Sequence, residues 1–479
     1  MSSSPAQPTA ANRSPAAVLT LRHALVLIVG VVVGAGIFKV PSLVAQMTGS
    51  VGWMFTAWLL GGLVSLVGVL CYAELATAYP SVGGDYHFLH RAYGRRISFL
   101  FAWARFSVIT TGSIALLAFV FGDYMHQVLP LHANGALGSA LWATAVVVAL
   151  WIVNSRGILA GASAQTWLTV VEVGGLLLVV AAALYWVAGG VPAAAGSAAP
   201  QPAMFGATPS LAGFGLAMVF VLLAYGGWNE AGYISAELKD NRRNMVRALV
   251  ASILVITVLY VGVTWAYWRV LGLEGMGKSE AVAADVMNRV FGTGGQTLIS
   301  VLVAIAALSS INATMIVGAR TNYAVGCDWA ALDRLARWDH GRSTPTTALA
   351  VQNVLALLLI GLGAWSGNGF RSMVEFTAPV FWLFFLLTGI ALFILRGHEP
   401  AAPNPFRVPL YPLLPAIFCL TCAYMLWSSL SYVSTQTLGG VNAAWTGVVV
   451  LAVGVVLMWF IGTGQPGPAA RGAISERRS

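Results

Sequence analysis

The sequence predicts an all-α membrane protein with twelve transmembrane helices, set out as two inverted five-helix repeats followed by two further helices. Three observations lead there: long uncharged apolar runs, an uneven distribution of basic residues between the two sides, and two glycine-rich interruptions at matching places in the two halves. Hydrophobic residues make up 58% and charged residues 9% of 479 positions, against roughly 25% charge in an ordinary soluble domain. Mean hydropathy is +0.81.

Between Lys39 and Glu74 the chain carries no Asp, Glu, Lys or Arg. That run exceeds the roughly 20 apolar residues a helix needs to cross a bilayer, so two helices share it and turn at "MTGSVG". Only helices and closed barrels satisfy every backbone polar group in lipid, and the sequence lacks the alternating segments of about ten residues that mark a barrel. Taking charge clusters as punctuation, the predicted spans are 22–48, 51–79, 96–122, 136–154, 164–188, 209–236, 247–271, 294–322, 346–363, 372–395, 409–431 and 440–463. Residues 1–20 and 464–479, rich in Ala, Ser, Pro and Gly, are expected to be unstructured. The domain organisation is a first repeat over 21–190, an outer loop over 191–208, a second repeat over 209–395 and two added helices over 396–463.

Lys and Arg orient the chain. With the N-terminus inside, nineteen of the 25 basic residues fall on the inner side, and four, Arg269, Lys278, Arg289 and Arg371, fall outside. Lys39 and Arg105 remain at membrane depth, where snorkelling or internal pairing accounts for them. Both termini are therefore expected in the cytoplasm. The net charge of +9 follows from this asymmetry and points to membrane lipids rather than nucleic acid as its partner. Glu74, Asp85, Arg91, Arg95 and Arg96 cluster around the inner loop after span two, where either salt-bridge gating or plain positive-inside anchoring explains them. The cysteines, Cys71, Cys327, Cys419 and Cys422, lie in spans or inside, so no structural disulfide is expected; "CLTC" reads as helix packing.

The first interruption is "GVVVGAGIFKVP", residues 30–41. A second, "AYGGWN" at 224–229, places Gly226 and Gly227 at mid-depth, and a shift of 191 residues carries Gly34 onto Tyr225 and Gly36 onto Gly227. Paired helix breaks five spans apart mark a transporter with inverted repeats, since five is odd. Glycine permits the helix to unwind, which exposes main-chain groups that a ligand must satisfy. A zwitterion does so: its carboxylate suits the N–H groups from Gly34 to Ile37, and its ammonium suits the carbonyls near Val32 and from Leu223 to Ala224. The competing reading of "GVVVG" is a small-residue packing face.

Together with "CYAELATAYPSVGGDYHFLHRAYG" at 71–94 and "SSINATMIVGARTNYAVG" at 309–326, these stretches resemble the amino acid-polyamine-organocation superfamily, and within it the L-type amino acid transporters and their bacterial relatives. The resemblance runs from about residue 20 to 460 and implies a LeuT-type fold with discontinuous helices one and six. By that resemblance the carboxylate site falls on Gly34, Ala35 and Gly36, and side-chain contacts fall on Val32, Leu223 and Gly226. The full expected substrate set is Val32, Gly34, Ala35, Gly36, Ile37, Leu223, Ala224, Tyr225, Gly226, Gly227 and Asn229. Leu223 stands where many relatives carry an aromatic lid. The loop "GDYMHQVLPLHANG" has no cysteine of the kind that couples human relatives to a heavy chain, so no disulfide-linked heavy chain is expected.

Glu172 in "WLTVVEVGG" stands where sodium-independent relatives often place a lysine. An ionisable group at membrane depth is costly and usually functional, so Glu172, with Ser309 or Ser310, is expected to be a proton-coupling or cation site; a structural hydrogen bond is the plainer reading. Glu230 and Asn229 open the second half of span six, where a carboxylate caps a helix or faces the pocket. The seven histidines lie mainly in loops without metal-ligand spacing backed by carboxylates, and no GxxxxGK[ST] loop is present. No catalytic residue, metal or cofactor is therefore expected. The function expected is secondary active transport of L-amino acids, neutral ones first, by alternating access and with proton symport. Exchange, cationic amino acid or polyamine transport, sodium coupling and a non-transporting sensor are the alternatives. Length and bare outer loops point to a bacterial inner membrane.

Overall fold

The computed structural model describes residues 21–81, 84–132, 134–156, 162–190, 204–206, 208–229, 241–339, 344–398, 405–433 and 443–461. The two tails expected to be unstructured, and Glu230 with the second half of span six, lie outside the described residues. Among these residues the chain forms α-helices and no β-strand: α1 Leu21–Val32, α2 Val40–Thr48, α3 Val51–Ala78, α4 Gly84–Tyr93, α5 Arg95–Ala104, α6 Thr110–Val128, α7 Gly135–Ser155, α8 Ala162–Tyr185, α9 Leu211–Ala224, α10 Asn241–Lys278, α11 Val282–Asp328, α12 Thr346–Ser366, α13 Gly369–His398, α14 Leu413–Val433 and α15 Ala443–Ile461. Nine stretches among the described residues are long and apolar enough to cross a membrane: α3, the α5–α6 run, α7, α8 and α10 to α14. The protein is thus a multi-pass, all-helical membrane protein.

Helix starts follow local chemistry. Ser50 caps α3 by accepting the Trp53 N–H, Asn134 caps α7 by accepting those of Ala136 and Leu137, and Ser210 caps α9 through Gly213, each satisfying a donor that a helix start leaves over. Pro41 falls in the first turn of α2, where a missing N–H costs nothing. That explains why the first interruption closes on a proline: it opens a new helix. Close packing relies on small residues; Gly122 on α6 lies against the Ser139 main chain on α7, with no room for a Cβ.

Several boundaries differ from the sequence reading. The stretch 272–293, expected as an outer loop, is largely helical: α10 runs on to Lys278 and α11 begins at Val282. Gly272 and Gly292, with φ of 72° and 69°, turn the corners that let both helices continue. The stretch 80–95, expected on the inner side, likewise holds a helix, α4. The third span is α5 and α6 joined by a π turn over Arg105–Ile109, a local widening that recurs at functional sites.

Candidate functional site

The first span is broken where the glycines fall. α1 ends at Val32, Gly34 is extended at φ −100° and ψ −179°, and a single 3₁₀ turn over Ala35–Phe38 leads into α2. In the stretch expected as the sixth span, α9 ends at Ala224 and Gly227 takes a φ of 102°, closed to other residues at low cost. The two glycine-rich stretches work differently. Gly34 has a backbone any residue adopts, and a Cβ built on Gly34 or Gly36 meets nothing within 4 Å. These two glycines clear space rather than permit a special conformation or pack against a neighbour.

The space they clear is a cavity of about 400 Å³, within the range of small-molecule sites. Both breaks line it, through Val32, Gly34, Gly36 and Val40 on one side and Leu223, Ala224, Gly226, Gly227 and Asn229 on the other. The π turn and α6 add Arg105, Ile109, Thr110 and Ser113; α11 adds Ala313, Thr314, Val317 and Gly318; α13 adds Thr377, Phe381, Phe384, Phe385 and Thr388. The aromatic surface missing at Leu223 is supplied from α13, where the Phe381 and Phe385 rings stack at 4.3 Å. Asp85 on α4 and Phe101 on α5 complete the wall. The wall therefore joins a main-chain polar centre to an apolar lining, with hydroxyls and two charged side chains at intervals.

A scan of family models matches the chain over residues 19–461 to the amino acid permeases. The chain belongs to that family. Its activity is amino acid transport across a membrane. The permease is 27% identical to the cystine/glutamate transporter of Pongo abelii over 92% of its own length and 85% of that protein's. It is 28% identical to the b(0,+)-type amino acid transporter 1 of Mus musculus, covering 85% and 81% of the two chains, and 29% identical to the Asc-type amino acid transporter 1 of Mus musculus, covering 92% and 80%.

Of the residues singled out in the permease sequence, Val32, Gly34, Gly36, Leu223, Ala224, Gly226, Gly227 and Asn229 stand on the cavity wall. Ala35 and Ile37 are fully buried in the core instead. Tyr225 also turns into the core, where its hydroxyl donates to Trp58 O at 3.1 Å and its ring packs on Trp58 and Tyr260. Ala35 and Ile37 alternate with Gly34 and Gly36, which line the cavity, and Tyr225 turns inward between two lining pairs, Leu223–Ala224 and Gly226–Gly227. Asn229 donates to Asp85 Oδ2 at 3.4 Å, so it ties the sixth-span break to α4 as well as lining the cavity.

Glu172 on α8 is 4% exposed, and its Oε2 has no hydrogen-bond partner among the described residues. Ser309 is buried on α11 with Ser310 beside it, yet no hydrogen bond joins either to Glu172 among the described residues. Tyr260 on α10 lies within electrostatic reach of the Glu172 carboxylate. The Tyr260 hydroxyl in turn sits 3.0 Å from both Val32 O and Ala224 O, the carbonyls at the two broken ends. Sequence reasoning passed over Tyr260 because nothing in α10 departs from an ordinary apolar span.

Lys39, given no chemistry from sequence, is paired internally. Its Nζ lies 2.8 Å from Asp123 Oδ2 on α6 and 2.6 Å from Glu280 Oε2 between α10 and α11. Ser42 on α2 adds a hydrogen bond to Ser279 O at 2.7 Å, and Tyr124 Oη donates to Phe38 O at 2.7 Å. At the other end of the bundle Glu74 does not pair with Arg91, Arg95 or Arg96. It accepts the Val408 N–H at 2.6 Å and lies 3.4 and 3.5 Å from Arg407 and Arg396, while Arg91 and Arg95 stack on the Tyr79 and Trp329 rings. The partners of Glu74 come from the end of α13 and the segment after it, a pairing that proximity in sequence could not indicate.

Proposed function

We propose that the permease carries neutral L-amino acids by alternating access, in a LeuT-type arrangement of twelve spans with a 5+5 inverted repeat and discontinuous first and sixth spans. The single observation that carries this reading is that both helix breaks line one cavity. Main chain at a break offers N–H groups at a helix start and carbonyls at a helix end, the complement of an α-carboxylate and an α-ammonium. The amides of Ala35 and Gly36 open the 3₁₀ turn; Val32 O and Ala224 O close the preceding helices. The inverted repeat is supported by a matching pair of helical connections, α4 after the second span and the Val282 segment after the seventh. The basic residues orient both termini toward the cytoplasm, and the bare outer loops favour a bacterial inner membrane.

The apolar rings of Phe381, Phe384 and Phe385 beside Val32 and Leu223 favour an uncharged side chain. Arg105 on the same wall disfavours cationic amino acids and polyamines, and Asp85, the carboxylate among the described lining residues, accepts from Asn229. Glu172 supplies the coupling group: a buried carboxylate with an oxygen unpartnered among the described residues, within electrostatic reach of the tyrosine that touches both broken ends. Symport with protons is the reading it supports, with exchange the alternative. No enzymatic step, metal, cofactor or disulfide-linked heavy chain enters this mechanism.

Purified permease in proteoliposomes, given a panel of radiolabelled amino acids under imposed proton or sodium gradients, tests the proposal. Accumulation of neutral amino acids driven by an inward proton gradient is expected. Uptake only against internal amino acid would establish exchange, and binding without uptake would establish a sensor.

A further inference from the structure

The short helix α2 is jointed at both ends. Gly34, extended, leads from α1 into the 3₁₀ turn before it, and Gly49, at φ 59°, turns it into α3. A Cβ built on either glycine meets nothing within 4 Å, so neither joint is wedged by a neighbour. Gly36 and Val40 put the start of this piece on the cavity wall. Because α3 is 28 residues long and separates α2 from α4, those two lie at opposite ends of the bundle. The described wall runs from Val40 as far as Asp85 on α4, and α2 therefore stands across the mouth farther from α4.

Polar contacts hold it there. Besides its two carboxylates, Lys39 Nζ donates to Glu280 O at 2.7 Å, and Ser42 Oγ donates to Ser279 O at 2.7 Å. Tyr124, which donates to Phe38 O, also accepts the Ala283 N–H at 3.3 Å. All three tie the broken first span to the connection between α10 and α11, and a Cβ built on Gly277 in that connection meets Gln46 N of α2 at 3.5 Å. The acceptors are braced from their own side: Ser139 donates to Asp123, and Ser279 donates to Asp285 Oδ2 at 2.5 Å. Lys39 itself is 5% exposed. Burying an ion pair costs much of what its attraction returns, and both charges regain their hydration when the mouth opens. A seal built this way holds without being hard to break.

We propose that Lys39 and Asp123 form a reversible ionic latch, with Glu280 as its solvent-facing arm, that closes the cavity at the α10–α11 connection; its release lets α2 swing on Gly34 and Gly49 and admit the amino acid. This inference rests on the alternating-access reading above and names the contact that sets one of its two closures.

Spin labels at Gln46→Cys on α2 and Lys278→Cys on the connection, both exposed positions, test it by dipolar broadening in proteoliposomes, with the two single-label proteins as reference. In the otherwise unsubstituted protein the labels are expected close together. Lys39→Met should lower the ratio of close to separated pairs about tenfold or more, because the closed form strands Asp123 and the open form hydrates it. Lys39→Met with Asp123→Asn strands neither group and should restore the close pairs. The same double variant should take up radiolabelled amino acid more slowly than the unsubstituted protein, since opening no longer hydrates a charge; a structural role alone would return uptake together with stability. A broadening that ignores Lys39→Met, a double variant as separated as the single, or one that transports at the full rate each overturns the proposal. Should Lys39→Met not fold, Asp123→Asn is expected to separate the labels in the same direction, and unchanged broadening there overturns it as well. Absent uptake by the unsubstituted protein would sink the transport reading, and the broadening series would still decide the latch.

Discussion

Lys39→Met removes the cation that sits between Asp123 and Glu280 and leaves an apolar chain of similar length in its place. The lysine side chain is 7% exposed and that of Asp123 13%, at a separation of 2.8 Å; Glu280 is 74% exposed. The Glu280 arm, open to solvent, is worth about 0–1 kcal/mol. The Asp123 arm is different, because removing one partner of a buried pair strands the other and costs about 3–5 kcal/mol. Asp123 keeps a 2.5 Å hydrogen bond from Ser139 Oγ, which places the expected loss toward the lower end of that range. Replacing both charges, in Lys39→Met with Asp123→Asn, strands neither and should recover most of the loss, since buried pairs exchanged for neutral groups are often close to neutral.

Denaturant unfolding of the four proteins in one detergent closes the cycle and isolates the pairwise coupling. Lys39→Met should be the least stable of the four, the double variant more stable than it, and the gap little affected by salt, which screens buried pairs weakly. Glu280→Gln should stay close to wild type. A Lys39→Met protein within about 0.5 kcal/mol of wild type, the range of an ordinary surface change, would refute the reasoning, as would a double variant whose loss is the plain sum of the singles.

Gly34→Val and Gly36→Val should fold with near wild-type stability, because a Cβ at either position meets nothing within 4 Å, yet abolish uptake by filling the cavity; thermal melting and transport measured side by side check the split. Glu172→Gln should leave substrate binding in place and flatten the pH dependence of uptake, and an unaltered profile would remove Glu172 from coupling. His87, on α4 outside the spans, is held below the usual histidine value of 6.5 by burial and then by Arg91 and His90. The folded chain therefore takes up a proton later than the unfolded one as pH falls, so stability present above 6.5 declines below it. An NMR titration of His87 should return a value under 6.5, and His87→Gln should lessen the acid sensitivity of unfolding.

What the amino-acid order determined by itself is local and repetitive. Apolar runs and punctuating charges identify spans because each must clear the same bilayer with its backbone bonded internally. The glycines at 34, 36, 226 and 227 located both breaks, because a helix interruption is written in the residues that make it. Tertiary structure decided the rest. Ala35, Ile37 and Tyr225 belong to the broken stretches yet face the core, since the exact turn of a short 3₁₀ segment sets which neighbour sees the cavity. Lys39 meets Glu280 across 241 positions, and Tyr260 meets Val32 across 228. No period or motif encodes such meetings; they arise when separate helices pack, and there a buried charge or hydroxyl must find whichever partner the packing brings within reach.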